Sequence, residues 1–215
     1  MPQRDAAAFR RALTGLQGDI GAVRQAFTVP DAVPSCDLPH RNNREWCALS
    51  LNDAWHRFCR RLVISSAICG PQTLSGTVVQ PVTGLRAEFD VLGRLRKQPG
   101  PPRPWYWEPH WHDAVAAGKA ARFLQVSNAA QIVAALGSSP SPASDLNTVR
   151  NFIAHRKRDT ASKMYAVLAI YKVPRTRGMP SAAVVDGLLS LVTPTGTCFL
   201  DWCDQLERIA VTSVT

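Results

Sequence analysis

A chain of 215 residues with 46% hydrophobic and 19% charged side chains can bury a core without disulfides or metal, which excludes disorder throughout. Lys and Arg outnumber Asp and Glu by 25 to 16, a formal charge of +9 that favours polyanionic partners such as nucleic acid. No run approaches the ~18 apolar residues of a membrane span, and "MPQRDAAAFRRALTGLQG" lacks an apolar core behind its basic residues, so the expectation is a cytoplasmic protein with no membrane partner.

In chain order, residues 3 to 27 have helical composition, although Gly15, Gly18 and Gly21 each lower helix propensity by roughly 1 kcal/mol relative to alanine. "TVPDAVPSCDLPH" reads as loop. Asn43 is then placed to cap a helix from about Arg44 to Cys69, in which Ala48, Leu51, Trp55, Phe58 and Leu62 recur at alternating spacings of three and four, a buried stripe. Residues 70 to 143 read as a loop-rich insertion. It opens with a short strand expected around "GTVVQPV" and a short helix around "RAEFDVLGRLR", and "QPGPPRPWYWEP" is too rich in proline for a regular element. Helical pattern resumes in "HDAVAAGKAARFLQV" and "SNAAQIVAALG", with Ser127 as cap and Gly137 as stop, before the linker "SSPSPAS".

Ser144 or Asp145 is then expected to cap a helix running to about Lys157, with Leu146, Val149 and Ile153 on its apolar side. A further helix begins near Asp159 or Thr160, shows Met164, Val167, Leu168 and Tyr171 at helical spacing, and ends by Pro174. Ser181 opens "SAAVVDGLLSLV", and Thr195 or Thr197 opens "GTCFLDWCDQLERIAV". Helices dominate, so the expected architecture is an all-α bundle forming a single domain over residues 1 to 215, with contact between helices 44 to 69 and 145 to 157 in its core.

The excess charge is concentrated. Between Asn147 and Arg177 stand eight cations (Arg150, Arg156, Lys157, Arg158, Lys163, Lys172, Arg175, Arg177) and one anion, Asp159. Within this window, Asn151 and His155 are four residues apart and share a helix face, whereas Arg150 and His155, five apart, diverge by about 140°. One helix therefore aims both at one atom only by distortion, by the reach of the arginine, or where two copies of the motif meet.

"RNFIAH", within "LNTVRNFIAHR", resembles the R-x4-6-H signature of the HEPN superfamily, with Asn151 at the polar position after the arginine. The resemblance implies a small α-helical bundle that homodimerises to join two motifs in a composite cleft. It also implies a metal-independent endoribonuclease, needing no cofactor, of toxin–antitoxin or antiviral (abortive-infection) type, with RNA as substrate and an antitoxin or defence protein as a further partner. Arg150, Asn151 and His155 are then the catalytic set. Imidazole exchanges protons near neutral pH, a guanidinium binds phosphate bidentately, and the amide orients one or the other. Arg156, Lys157, Arg158 and Lys163 would hold flanking phosphates, an affinity that falls with salt. In some HEPN toxins the residue two after the histidine is a modifiable tyrosine; here it is Lys157, so neutralisation by that route is not implied. A non-catalytic HEPN-like module that binds RNA or dimerises stays open as the alternative.

"PWYWEPHWHD" gathers Trp105, Tyr106, Trp107 and Trp111 with His110 and His112. Packing of the proline-rich loop is the favoured reading of these aromatics over stacking of unpaired bases, and no companion ligand at diagnostic spacing makes the two histidines a metal site. Six cysteines show no CxxC pair and read as small buried hydrophobes in a reducing compartment. Glu45, Asp53 and Asp201 read as isolated carboxylates, and Trp202 and Cys203 as core. No P-loop, G-x-G-x-x-G, G-x-S-x-G, H-E-x-x-H or clear helix-turn-helix is present.

Overall fold

The structure, a computed structural model, describes residues 5–28, 38–138, 142–174 and 179–215. Among them are nine helices: α1 (Ala8–Thr28), α2 (Leu38–Ile68), α3 (Glu88–Arg96), α4 (Ala114–Leu124), α5 (Ala129–Leu136), α6 (Pro142–His155), α7 (Arg158–Ile170), α8 (Ser181–Leu189) and α9 (Cys198–Val214). Strands β1 (Val192–Thr193) and β2 (Gly196–Thr197) form a two-residue antiparallel hairpin between α8 and α9. The chain is all-α, as its helical periodicity implies. None of the described helices is long and apolar enough to cross a membrane. Cys36, most of the segment 28–40, part of the linker 138–144, and Arg175 and Arg177 lie outside the described residues.

The described residues fall into two compact units, one drawn from Met1–Gln17, Trp55–Ser141 and Glu207–Thr215, the other from Gly18–Ala54 and Pro142–Leu206. The α2 stripe Ala48, Leu51, Trp55, Phe58 and Leu62 is 0–1% exposed, and Leu51, Phe58 and Leu62 each contribute roughly 1.5 to 3 kcal/mol by leaving water. Asn43 is not the cap of α2, which begins five residues earlier; its Nδ2 instead donates to the Ala26 carbonyl at 2.9 Å.

In the first unit α4 packs on α5 and on α3. Gly118 permits the α4–α5 approach, because a Cβ there would stand 3.2 Å from Val133 Cγ2. Asp113 caps α4, accepting from the Val115 and Ala116 amides at 2.8 and 3.3 Å. Ser127 does not cap α5: its hydroxyl accepts from the Gln80 amide at 2.9 Å, and Asn128 takes the cap position. The strand expected around "GTVVQPV" is reduced to one bridge, Gln72 to Val78, because the chain turns back at once through a Thr73 amide to Thr77 carbonyl bond of 2.8 Å. The segment 70 to 143 otherwise carries three helices, α3 among them where "RAEFDVLGRLR" suggests it.

In the second unit α6 packs against α7 and α8. Leu146, Val149, Phe152 and Ile153 of α6 and Met164, Val167 and Leu168 of α7 are buried. Phe27 stacks on Phe199 with ring centroids 4.4 Å apart, and Arg44 lies 4.3 Å over Phe27 while pairing with Asp186 at 2.9 Å. The α6 helix starts at Pro142, ahead of the expected caps Ser144 and Asp145, because proline has no amide to lose in a first turn. Asp145 instead accepts from the Tyr171 hydroxyl at 2.9 Å, and that hydroxyl accepts from Trp202 Nε1 at 2.9 Å.

Candidate functional site

The α6 helix carries its apolar residues on one side and Asn147, Asn151 and His155 on another, at intervals of four that drift by only about 40° each. It stops at His155, short of Lys157, because Arg156 takes a left-handed conformation with φ 46°. For a residue with a Cβ that conformation costs roughly 1 to 2 kcal/mol. What holds Arg156 there is a bidentate pair: Nη2 donates to Glu45 Oε2 at 2.8 Å and to Oε1 at 3.1 Å. Glu45 is 8% exposed, so its carboxylate depends on this partner. Lys157 then returns to extended backbone. Its amide donates to Thr160 Oγ1 at 3.0 Å, and the Thr160 hydroxyl donates to the Lys157 carbonyl at 2.9 Å, which fixes the start of α7 at Arg158.

This break folds α7 back on α6 and leaves a cleft of about 370 Å³ lined by Asn147, Thr148, Asn151, His155, Thr160 and Lys163. Every lining side chain is polar. His155 is exposed and no described residue hydrogen-bonds its imidazole. Asn151 is held at both ends of its amide. Arg150 Nη1 donates to its Oδ1 at 3.2 Å and, since a guanidinium only donates, the Nδ2 is left to donate to Asn147 Oδ1 at 3.3 Å. Among the described residues Lys163 pairs with Asp159 alone, at 3.3 Å across one turn of α7, and both are more than 60% exposed, a contact worth well under ~1 kcal/mol.

Of the residues singled out from the sequence, Asn151, His155 and Lys163 share the cleft. Arg150 is half-buried and reaches it only through Asn151, consistent with the helical divergence of Arg150 and His155. Lys157 and Arg158 follow His155 closely in sequence and are exposed, but do not line the cleft. Arg156 is committed to Glu45, which therefore is not an isolated carboxylate, and one positive charge of the basic run is matched. Sequence reasoning did not place Asn147, Thr148 or Thr160 in the site, although Thr160 was read as a possible start of the second helix. The four-residue spacing of Asn147, Asn151 and His155 is a signal for the first; for Glu45, 111 residues from its partner, there is none.

Other chemistry can be placed. Burial pushes the Cys47 thiol up to about 11 and that of Cys198 to about 12, and drives Cys59 higher still, so these sulfurs stay protonated and do not serve as nucleophiles near neutral pH. Trp202 and Cys203 are core, as expected. Asp201 is half-buried and accepts from the Thr195 hydroxyl at 2.5 Å. The ring centroids of His110 and His112 are 5.7 Å apart and His56 stands 5.9 Å from His112, yet among the described residues no group of three His, Cys, Asp or Glu is arranged to hold a metal ion. No protein-family model, curated protein or solved structure matches the chain.

Proposed function

We propose that the α6–α7 cleft is the catalytic site of a metal-independent endoribonuclease of HEPN type, and that the chain works as a homodimer in a toxin or antiviral-defence setting. One observation carries the reading: an exposed imidazole, a fixed carboxamide and a lysine share one all-polar cleft, with Arg150, Lys157 and Arg158 close to His155 in sequence. His155 takes the proton of the 2′-hydroxyl. The 2′-oxygen attacks phosphorus, the bond to the 5′-oxygen breaks, and that oxygen leaves as a hydroxyl with a proton from the second copy's imidazolium or from water. Lys163, with the arginine of the second copy, stabilises the charge that develops on phosphorus, and Asn151 fixes the orientation of each Arg150. The second copy's Arg150, brought across the dimer, supplies the guanidinium that one helix cannot aim at the atom His155 serves. The products are a 2′,3′-cyclic phosphate and a 5′-hydroxyl, and DNA, without the attacking group, is not cut.

Incubating wild type and His155→Ala with single-stranded and transfer RNA in EDTA tests this. Cleavage by wild type alone, with cyclic-phosphate ends, is the expected result; equal cleavage by both sinks the assignment. The absence of Arg150 from the residues lining the cleft favours a second reading, a non-catalytic RNA-binding module. On that reading neither protein cuts and both bind RNA with the same salt dependence.

A further inference from the structure

The loop "PGPPRPWYW" splits the aromatic run in two. Trp111 is fully buried and donates from Nε1 to Glu108 at 2.9 Å, and Trp107 lies half-buried beneath the Arg103 guanidinium, 4.0 Å from ring to cation. These two behave as loop packing. Trp105 and Tyr106 do not: they are 79% and 70% exposed and meet edge to face with centroids 5.8 Å apart.

The backbone that presents them is pinned on both sides. Arg103 Nη1 donates to the Leu95 carbonyl at 2.9 Å, at the end of α3, and the Trp107 amide donates to the Pro104 carbonyl at 3.0 Å. Pro101, Pro102 and Pro104 stiffen the approach. Two large rings are thus held in solvent by a loop with little freedom to withdraw them.

The stretch of chain that carries them is of one sign. From Val91 to Trp107 stand Arg94, Arg96, Lys97 and Arg103 and no acidic residue. The flanking acids are already engaged, since Glu88 and Glu108 both bind Arg60 and Asp90 accepts the Arg86 and Ala87 amides. Exposed ring faces amid unopposed cations complement a chain that carries both flat apolar faces and a regular negative backbone. An unpaired polynucleotide has that character, whereas a duplex hides its base faces.

We infer that Trp105 and Tyr106 form a stacking platform for unpaired RNA, with the cations of the α3 carboxy-terminal turn holding the adjoining phosphates. The choice of RNA over DNA rests on the reading of the His155 cleft; the stacking itself does not.

The test uses the full chain carrying His155→Ala, so that binding is read without cleavage, and a labelled unstructured RNA of about 12 nucleotides, within the usual span of single-strand sites. By fluorescence anisotropy, Trp105→Ala with Tyr106→Ala is expected to weaken binding roughly tenfold for each base stack lost, while phenylalanine at both positions keeps most of the affinity. Lys97→Ala lowers the salt dependence by about one phosphate contact. Both ring positions are solvent-exposed, so the variants fold. Unchanged affinity in the double alanine variant overturns the inference, as does equally tight, ring-dependent binding of duplex RNA. Preference for DNA of the same sequence, or displacement of the RNA by polyglutamate through the same two rings, overturns the choice of partner. If wild type does not cut RNA yet ring-dependent binding persists, the platform stands and the nuclease reading falls.

Discussion

Glu45 in α2 and Arg156 in the break between α6 and α7, 111 residues apart in sequence, meet through two hydrogen bonds from one guanidinium nitrogen. The pair joins a buried acid to a left-handed backbone. Each makes the other tolerable: Glu45 is 8% exposed and its carboxylate needs a cation, and the arginine's φ of 46° needs an anchor.

Arg156→Ala is therefore expected to cost about 2 to 3 kcal/mol in urea denaturation, since it strands a buried carboxylate. Arg156→Gly is milder by about 1 kcal/mol because glycine adopts that φ freely. Lys157→Ala and Arg158→Ala, on the same basic run, shift stability by less than about 0.5 kcal/mol. Equal effects at all three positions would contradict the structural role of Arg156.

Asn147 acts on the cleft through Asn151, whose Nδ2 it receives at 3.3 Å. If the cleft cuts RNA, Asn147→Leu lowers kcat about tenfold while Asn147→Asp, which keeps the acceptor, restores kcat and raises KM by adding an anion near phosphate. Steady-state kinetics separate the two. A loss of kcat in Asn147→Asp as large as in Asn147→Leu would remove Asn147 from the positioning set.

Glu108 accepts from Arg60 Nε at 2.8 Å and Nη2 at 3.1 Å and from Trp111 Nε1 at 2.9 Å; the Arg60 hydrogen bonds, against the opposing effect of burial, hold its carboxyl below the usual glutamate range. A depressed carboxylate stabilises the fold above the unfolded value, near ~4.3, and the contribution is lost as pH falls through the folded value. Glu108→Gln should thus cost about 1.5 to 3 kcal/mol at pH 7, and the gap to wild type should narrow in acid. A gap independent of pH would show that packing, and not the charge, accounts for it.

Asp145 has the opposite sign. Burial raises its carboxyl, and the Tyr171 hydrogen bond only partly offsets this. A raised acid stabilises the fold below the unfolded value and loses that contribution as pH climbs through the folded value. Relative to wild type, Asp145→Asn should gain stability between about pH 4 and pH 7, read as the difference in denaturation midpoints. Tyr171→Phe leaves Trp202 Nε1 without its acceptor and should cost about 1 to 3 kcal/mol at either pH.

How much of this was legible in the sequence depends on how local its cause is. The α2 stripe, the apolar sides of α6 and α7, the Gly137 stop and the start of α8 at Ser181 follow from periodicity and capping within a few residues, and they were readable. The breaks were not. That α6 stops at His155 depends on Glu45, far away in the chain, and Ser127 loses its capping role to a backbone amide of Gln80. The hairpin at Val192 to Thr197 is too short to leave an alternating pattern. At the site, the face shared by Asn151 and His155 was visible from spacing, as was the divergence of Arg150. The cleft wall from α7 was legible in part: the start of that helix near Asp159 or Thr160 and the cation Lys163 were readable, but that α7 folds back on α6 to face His155 was not. The aromatic run shows the same limit, since composition cannot tell which of four rings fold inward.

The buried thiols make the native sequence its own reporter of local opening. Cys59 lies in the first unit and Cys47, Cys198 and Cys203 in the second, all almost wholly excluded from solvent and, for the three with resolved shifts, held far from the reactive thiolate. A disulfide reagent reaches such a sulfur only when the surrounding helices part, so the rate of each modification measures the free energy of that opening rather than the chemistry of the cysteine. Mass spectrometry resolving Cys59 from Cys47 and Cys198 therefore yields two exchange clocks, one for each unit, without an engineered label.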